Sequence, residues 1–396
     1  MRVITFARIG ILARILSPNQ FGVFGLATLI LSFIEIITET GINIFLIQQN
    51  DDVKKYINTA WIVSIIRGVL ISIIIAASSP FIASFFNTPS ASGLLLLTSL
   101  VPLIRGFINP SVVKFQKDLK FDKEFYFRFS IFLIEAIGVT ILAMLTRSEI
   151  SLVIGLIISA MIEVIMSFKI IKPIPILAFN KDIFKLIIKR GKWVSIAGVT
   201  HYLFQNIDDI LIGKLLGTTS LGFYQMAYKI SILPITEISD VIARVAFPIF
   251  VKISDDQIRL RKAFLKTLAA ISFLSLGLGV ISLIFTKEIV TILLGDEWLP
   301  ILPFLKILIV FGVVRAISGA PSMLFLAIKK QEYTSYFTTG SLIILLILIV
   351  PFVTTQGIIG ASLASLYAAI AIVPVMIYYT YKVLYTDKFY KNTKNE

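Results

Sequence analysis

Long apolar stretches alternate with short polar turns along the whole chain. Each stretch approaches the roughly 20 apolar residues that an α-helix needs to cross a bilayer. The pattern predicts twelve helices, in chain order: a first helix ending near Leu16, then Phe21–Ile47, Tyr56–Phe86, Gly93–Val113, Phe125–Leu145, Ile150–Ile171, Trp193–Leu216, Leu221–Val251, Ala263–Phe285, Leu299–Ile328, Tyr333–Val353 and Ile358–Tyr381. We therefore expect an all-α integral membrane protein with about twelve transmembrane helices.

One connection is longer than the others and has an amphipathic pattern. Within residues 172–192, the run Asp182–Arg190 alternates apolar and basic residues at helical spacing. A basic amphipathic helix of this kind lies in the membrane interface. The pattern predicts four parts: an N-lobe with helices one to six at 1–171, a cytoplasmic linker at 172–192, a C-lobe with helices seven to twelve at 193–381 and a cytoplasmic tail at 382–396.

A sixteen-residue pattern occurs twice, at 12–27 and at 212–227, and aligns without a gap at an offset of 200 residues. In each copy a base, Arg14 or Lys214, follows an apolar run and precedes a polar turn and the next apolar run. Such a repeat indicates a duplicated membrane bundle. Because fewer residues precede Arg14 than precede Lys214 in its helix, we expect the first helix to be shortened at its N-terminus. A reading frame that starts upstream of Met1 would explain this.

The composition excludes several classes of protein and of site. Hydrophobic residues make up 57% of the chain, charged residues only 15%, and the mean hydropathy is +0.92. Soluble domains carry about 25% charged residues, so the solvent of this chain is the bilayer. The chain has no cysteine and one histidine, which excludes disulfides, thiolate chemistry and a multi-histidine metal site. It also has no P-loop motif for ATP hydrolysis.

The net charge of +14 is unevenly distributed over the predicted connections. Alternate connections and the tail hold 24 of the 37 lysines and arginines, whereas the other connections hold four. Because basic loops stay on the cytoplasmic side of a membrane, both termini are predicted to be cytoplasmic. The bases are dispersed over many short loops that face anionic lipid headgroups, so no nucleic-acid partner is expected.

Four segments resemble the polysaccharide transporter (Wzx-like, lipid-linked oligosaccharide flippase) family of the MOP exporter superfamily. They are Ala13–Gly22, Asp209–Tyr224, Phe247–Arg261 and Gly295–Trp298. The resemblance extends over essentially the whole chain except the start of the first helix. It implies a MATE-like fold of two pseudo-symmetric six-helix lobes around a central cavity that opens to either side in turn.

The same resemblance implies a function, a location and partners. The expected substrate is an undecaprenyl-pyrophosphate-linked oligosaccharide that is moved from the inner to the outer leaflet. The expected location is the cytoplasmic membrane of a bacterium or archaeon. The glycan would be of the O-antigen, capsule, exopolysaccharide or teichuronic-acid type, with a glycan polymerase and chain-length machinery as further partners.

Arginines inside the predicted spans are the first candidates for substrate contact. An arginine at the middle of the bilayer costs at least about 2.5 kcal/mol, so it normally faces a cavity or a partner. The guanidinium group also fits a diphosphate. We expect Arg67, Arg105, Arg244 and Arg315 to be cavity cations. Internal ion pairs are the alternative, because the spans also hold eight acidic residues.

Other polar residues in the spans share helix faces. The candidate coupling or cavity acids are Glu35, Glu39, Asp208, Asp209, Glu237 and Asp240, and His201 and Gln205 extend the polar face of the seventh helix. One interpretation is a cavity wall whose carboxylates bind a proton or a sodium ion. The other is polar packing between helices, with Asp240 and Arg244 as a local pair. No catalytic residue, metal ligand or cofactor is expected.

These observations favour a secondary flippase for a polyprenyl-diphosphate-linked glycan, and not an enzyme. A MATE-like multidrug or organic-cation antiporter is the first alternative, and acids without cavity arginines would favour it. An integral-membrane glycan polymerase or acyltransferase is the second. Such enzymes usually need a large outer loop or a catalytic cluster, whereas every predicted outer connection is short.

Overall fold

The computed structural model describes residues 2–48 and 54–386, and the regular structure within these ranges is entirely helical. The helices are α1 (Arg2–Ala13), α2 (Pro18–Ile37), α3 (Ile42–Gln48), α4 (Lys54–Phe85), α5 (Ala91–Thr98), α6 (Leu100–Arg105), α7 (Lys114–Lys117), α8 (Phe121–Thr146), α9 (Ile150–Ile170), α10 (Lys181–Leu216), α11 (Thr218–Lys252), α12 (Gln257–Ile284), α13 (Thr286–Leu293), α14 (Leu302–Ala327) and α15 (Gln331–Tyr385). Short 3-10 turns, Pro110–Val113 and Asp296–Ile301, precede α7 and α14.

Seven helical segments in the described ranges are long and apolar enough to cross a membrane. They are α2, α4, α8, α9, α12, α14 together with the turn before it, and α15. The pair Ala91–Arg105 and Pro110–Lys117, bent by 70°, is an eighth candidate span. The 55-residue α15 consists of two helices that meet at Gly357, whose φ of 59° is not helical. The all-α membrane class is therefore confirmed, whereas the predicted count of twelve spans is not.

Two predicted helices are broken in the structure. The second, predicted as Phe21–Ile47, is interrupted between α2 and α3, where Gly41 has a φ of 61°. The fourth, predicted as Gly93–Val113, ends at Arg105, and Asn109 is extended with ψ at 114°. The residue before a proline avoids the helical region, so Pro110 explains why Asn109 is extended and does not continue the helix.

Two elements predicted as separate form one helix. Residues 181–192 of the predicted linker continue without a break into the seventh helix as α10. The Asn180 side chain accepts hydrogen bonds from the backbone N–H groups of Asp182 and Ile183, which starts the helix at residue 181. The helix then runs to Leu216 and ends before Gly217, whose φ is 83°. Ile187 on this helix is buried in a hydrophobic core cluster with residues of α3 and α4.

Residue contacts divide the chain into two units, Met1–Gly222 and Phe223–Glu396. In the first unit, α10 packs against α2 and α4, and α8 packs against α9. In the second, α14 packs against α12 and α15 around a core that includes Phe250, Phe264 and Phe325. The division follows contacts and not the sequence repeat, so the predicted lobes, 1–171 and 193–381, stay a prediction.

Residues 18–22 of the first repeat copy and 218–222 of the second meet inside the first unit. Gly22 lies so close to the start of α11 that a Cβ atom on it would be 1.7 Å from the Thr218 carbonyl oxygen. A Cβ atom on Gly222 would be 2.0 Å from the carbonyl oxygen of Pro18. The same offset of 200 residues relates both contacts, and the absence of a side chain at both glycines is what permits this backbone approach.

Some predictions lie outside the described residues. They concern the polar end of the second predicted helix at 49–53, residues 387–396 of the tail, and the side chains of Arg2 and Trp193.

Candidate functional site

A cavity of about 350 Å³ lies in the first unit, next to the break between α2 and α3. Its charged lining consists of Glu35 from α2, Glu39 from the break, Arg67 from α4 and Arg105 from α6. The lining thus brings together two of the predicted cavity cations and two of the predicted cavity acids. Polar groups of Thr40, Asn43 and Ser64, together with apolar residues, complete the wall.

Two glycines bring α4 and α6 into backbone contact beside the cavity. A Cβ atom on Gly68 would be 2.5 Å from the Pro102 carbonyl oxygen and 3.0 Å from the Gly106 Cα. A Cβ atom on Gly106 would be 2.9 Å from the Ser64 carbonyl oxygen. Each of the two arginines directly precedes one of these glycines in the sequence. The crossing point therefore fixes both arginine backbones next to each other.

The break after α2 is held by side-chain hydrogen bonds. The Glu39 carboxylate accepts from the backbone N–H of Gly41 at 2.9 Å, and the Thr38 hydroxyl donates to the carbonyl of Ile34 at 2.7 Å. On the α10 side, the Ser195 hydroxyl donates to the Glu39 carbonyl. These bonds satisfy backbone groups that the end of α2 leaves unpaired, so the wall carrying the carboxylates is structurally defined.

Arg67 is extensively bonded to this broken end. One terminal nitrogen donates to the Glu35 carbonyl oxygen at 2.6 Å and to the Glu39 carboxylate at 3.1 Å. Its Nε lies 3.4 Å from the Thr38 hydroxyl oxygen. Arg67 therefore forms an internal ion pair, which was the alternative to a cation that faces the substrate.

Arg105 is bonded differently. Its Nη1 lies 3.9 Å from a Glu35 carboxylate oxygen, which is within ion-pair range but too long for a hydrogen bond. Its Nε is buried and has no hydrogen-bond partner among the described residues, and the same holds for the Thr40 hydroxyl. Buried polar groups are normally hydrogen-bonded. Both atoms have almost no accessible surface, so the exposed part of the Arg105 side chain consists of its other atoms.

The charges in the cavity balance formally, since two guanidinium groups face two carboxylates. The side chains of the Arg105–Glu35 pair are 36% and 29% exposed, so the pair is reachable from the cavity. Guanidinium groups in this setting bind oxyanions in a bidentate way, and carboxylates accept hydrogen bonds from hydroxyl groups. The cavity therefore has the chemistry to hold an anionic, hydroxyl-rich headgroup.

The polar face of α10 does not contribute to this cavity. His201 is exposed, Gln205 and Asp209 are half-buried, and Asp208 is buried. The Asp208 carboxylate accepts from the backbone N–H of Asp209 at 3.0 Å. Among the described residues that line the cavity, none comes from α10.

The remaining predicted site residues lie in the second unit. The Arg315 guanidinium on α14 donates to the hydroxyl of Tyr228 on α11. Arg244 and Asp240 are exposed, and Glu237 is half-buried. In the described part of the chain no ion pair joins Asp240 to Arg244, so the structure does not contain the local pair that one of the two interpretations included.

Sequence reasoning missed Thr40 and the two contact glycines. The available signal was the Arg-Gly dipeptide, which occurs at 67–68, 105–106 and 190–191, the first two within predicted spans. A small residue next to a buried charge indicates a close helix crossing beside a polar site. No group of three histidine, aspartate or glutamate side chains arranged to hold a metal ion occurs within the described ranges.

A sequence model of the family described as "Polysaccharide biosynthesis protein" matches residues 11–303. Three curated relatives are similar over most of their length. An uncharacterized membrane protein in the cps region of Klebsiella pneumoniae is 27% identical, covering 92% of this chain and 76% of that protein. The teichuronic acid biosynthesis protein TuaB of Bacillus subtilis is 27% identical, with 87% and 71% covered. The lipopolysaccharide biosynthesis protein WzxC of Escherichia coli is 24% identical, with 90% and 73% covered.

Two solved structures show the fold. The lipid II flippase MurJ in an inward closed conformation matches with a TM-score of 0.77 at 17% identity, covering 97% of this chain and 88% of that one. An inward-facing multidrug resistance MATE family transporter of the MOP superfamily matches with a TM-score of 0.70 at 15% identity, covering 98% and 96%. The predicted MOP-type, MATE-like fold is confirmed by these matches.

Proposed function

Because this chain belongs to the polysaccharide biosynthesis protein family, we propose that it is a flippase for a lipid-linked oligosaccharide. It moves an undecaprenyl-pyrophosphate-linked repeat unit from the inner to the outer leaflet by alternating access. The lipid tail stays in the bilayer while the diphosphate and sugars pass through the protein. The chain is a carrier and not an enzyme, in keeping with its MOP fold.

The observation that carries the proposal is the meeting of Arg67 and Arg105 in one cavity beside candidate membrane spans. A guanidinium in such a segment is expensive unless it faces a partner or a water-filled space. The Arg105 side chain is 36% exposed, and its counter-charge, Glu35, lies at 3.9 Å, which is beyond hydrogen-bond distance. A diphosphate is a natural ligand for such a group, and neighbouring carboxylates suit sugar hydroxyls.

The names of relatives and structural neighbours also support the proposed flippase function. Relatives are named for the biosynthesis of teichuronic acid and of lipopolysaccharide, and the succinoglycan protein ExoT of Rhizobium meliloti is named as a transport protein. A structural neighbour is named as a lipid II flippase. These names refer to the biosynthesis or transport of teichuronic acid, lipopolysaccharide and succinoglycan, and to the flipping of lipid II. The type of glycan that this chain carries is part of the proposal.

We place the protein in the cytoplasmic membrane of a bacterium or archaeon, with both termini in the cytoplasm. The support is the asymmetry of basic residues between alternate connections. A glycan polymerase and chain-length machinery would use the flipped unit and are the proposed partners. A proton or sodium ion is the proposed coupling ion, with Glu35 and Glu39 as the nearest carboxylates to the cavity arginines.

An organic-cation antiporter is the competing function within this fold. A cation site needs carboxylates that are not neutralised by nearby bases. In the described cavity, both carboxylates lie within 4 Å of an arginine, at 3.1 Å for Glu39 and 3.9 Å for Glu35. The arrangement therefore favours an anionic substrate over a cationic drug.

A flipping assay tests the proposal. The full chain is reconstituted in liposomes that contain an undecaprenyl-diphosphate-linked oligosaccharide with a fluorescent label on its sugar. A membrane-impermeant quencher then reports the label in the outer leaflet. We expect the inner-leaflet label to become accessible in protein-containing vesicles and not in protein-free vesicles. Equal accessibility in both, or transport of ethidium in place of the lipid, would refute the proposal.

A further inference from the structure

The two cavity arginines differ in how their hydrogen-bonding capacity is used. Arg67 donates to a backbone carbonyl, a carboxylate and a hydroxyl, and all three acceptors belong to the end of α2 and the break after it. Arg105 has no hydrogen bond from its guanidinium to any residue in the described ranges. The same residue type in the same cavity therefore has two different surroundings.

The bonds of Arg67 indicate a bracing role. The last carbonyl groups of a helix lack intrahelical partners, and a basic side chain there satisfies them and interacts favourably with the helix dipole. Arg67 does this across the helix interface, from α4 to the end of α2. Moving its guanidinium to a ligand would leave the Glu35 carbonyl and the Glu39 carboxylate without this donor. A ligand must therefore compete with three existing bonds.

The surroundings of Arg105 indicate an exchangeable site. Its nearest counter-charge is Glu35 at 3.9 Å, a distance at which Coulomb attraction operates but no hydrogen bond forms. The Arg105 side chain lines the cavity and is 36% exposed, and its guanidinium forms no hydrogen bond within the described ranges. An oxyanion that approaches Arg105 gains hydrogen bonds that Glu35 does not supply. Its backbone needs no movement, because the Gly68–Gly106 contact fixes it.

We infer that a phosphoryl oxyanion binds at Arg105 by displacing Glu35, while Arg67 remains bonded to the end of α2 as a positioning residue. The inference rests on the proposed function and assigns different tasks to the two arginines. Glu35 acts as the counter-ion of Arg105 and as the competitor of the ligand. The ligand class is a phosphate ester or diphosphate, whether free or carried on a lipid.

Competition between Glu35 and the ligand predicts an effect on anion binding that a purely structural role of Glu35 would not predict. Removing the Glu35 charge should strengthen anion binding wherever Arg105 is present, because the site no longer has an internal competitor. Removing the Glu35 charge in an Arg105→Gln background should not strengthen anion binding, since the guanidinium for which Glu35 and the ligand compete is absent. The two substitutions are therefore coupled.

The test is the binding of inorganic pyrophosphate to the purified full-length chain, measured by isothermal titration calorimetry, with the thermal midpoint Tm measured on each variant. The single variants are Arg105→Gln, Arg67→Gln, Arg67→Lys and Glu35→Gln. In the double variants, Glu35→Gln is combined with each of the three arginine substitutions. Arg128→Gln is the matched control, because Arg128 lies outside the cavity and pairs with Glu124 at 2.8 Å on the surface of α8.

The expected results separate the two arginines. Arg105→Gln weakens pyrophosphate binding by about tenfold or more, the loss expected for a charged hydrogen bond, at an unchanged Tm. Glu35→Gln tightens binding in the wild-type background and not in the Arg105→Gln background. Arg67→Gln and Arg67→Lys lower the Tm, and the folded fraction of each still responds to Glu35→Gln. The Arg128→Gln control binds as the wild type does.

Three results would overturn the inference: no pyrophosphate binding by the wild type, wild-type affinity in Arg105→Gln, or loss of the Glu35→Gln effect in the Arg67 variants. Failure of the proposed function has a different signature. In that case the flipping assay shows no transport of the lipid-linked oligosaccharide although pyrophosphate still binds at Arg105. Lipid-bound and free diphosphates are distinguished by repeating the titration with a short-chain polyprenyl diphosphate.

Discussion

Replacing Gly68 with alanine tests whether backbone contact between α4 and α6 builds the cavity. The new Cβ would be 2.5 Å from the Pro102 carbonyl oxygen, whereas ordinary van der Waals contact begins at 3.4 Å. The helices must therefore separate by roughly 1 Å, because a backbone carbonyl, unlike a side chain, has no other rotamer to adopt. Overpacking of this kind costs about 1–3 kcal/mol, and the better helix propensity of alanine offsets about 1 kcal/mol.

The net loss of about 0–2 kcal/mol corresponds to a Tm decrease of up to about 8 °C for a unit of 150–250 residues. The assay is size-exclusion chromatography of detergent-purified protein after heating to a series of temperatures. Gly138→Ala on α8 is the matched control, since a Cβ atom there meets nothing within 4 Å. The control should keep or raise the Tm. If Gly68→Ala raises the Tm as the control does, the helix contact is not the one described.

Further predictions concern the first unit. Asn109→Leu should lower the free energy of unfolding by about 1–3 kcal/mol, measured as a lower Tm. The reason is that this fully buried amide donates to the Pro173 carbonyl at 3.1 Å and more weakly to two other carbonyls. An unchanged Tm would contradict this. The chain has no cysteine, so a disulfide between cysteines at Asn19 and Thr218, whose side-chain oxygens are 2.7 Å apart, can be made selectively. If the two repeat copies separate during alternating access, oxidation stops flipping and a reductant restores it, whereas full activity of the oxidised protein would refute such a separation. For the topology, a cysteine at Lys123 should react with an impermeant maleimide only from the cytoplasmic side and one at Ser148 only from the outside, and the reverse pattern would invert the predicted orientation.

Much of the helical architecture follows from the sequence because lipid-exposed apolar runs have few alternatives to a helix. The fifth and sixth helices, predicted as Phe125–Leu145 and Ile150–Ile171, are observed as Phe121–Thr146 and Ile150–Ile170. Here the polar turn after the fifth helix marks its end clearly, and Arg147 takes up the left-handed conformation at φ 48°. Local signals are sufficient in this part of the chain.

The break in the second helix has a local signal that the prediction passed over, since residues 38–41 (Thr-Glu-Thr-Gly) interrupt the apolar run. The contacts that hold the break are tertiary and could not be predicted: Arg67 from α4, and from α10 the Ser195 hydroxyl and the close approach of Gly191 to Thr40. The opposite error occurred at residues 181–192, where basic residues suggested a separate interface helix. The chain there continues as α10, because nothing with a positive φ interrupts it before Gly217.

The candidate site was predictable in composition but not in bonding. Charges inside apolar spans identified Arg67, Arg105, Glu35 and Glu39, and the structure places all four around one cavity. Which arginine pairs with which carboxylate depends on side-chain directions across three helices, which no spacing along one helix reveals. The tasks proposed for the four residues stay predictions until they are tested.

The most direct measurement of the central claim is the initial rate at which reconstituted protein flips the labelled undecaprenyl-diphosphate-linked oligosaccharide, compared between Arg105→Gln and Arg128→Gln. Both changes remove one positive charge, but only Arg105 lines the cavity. We predict that Arg105→Gln slows flipping by about tenfold or more, as expected for loss of a charged hydrogen bond to the substrate, while Arg128→Gln flips at the wild-type rate. Equal rates for the two variants would contradict the assignment of this cavity to the diphosphate headgroup.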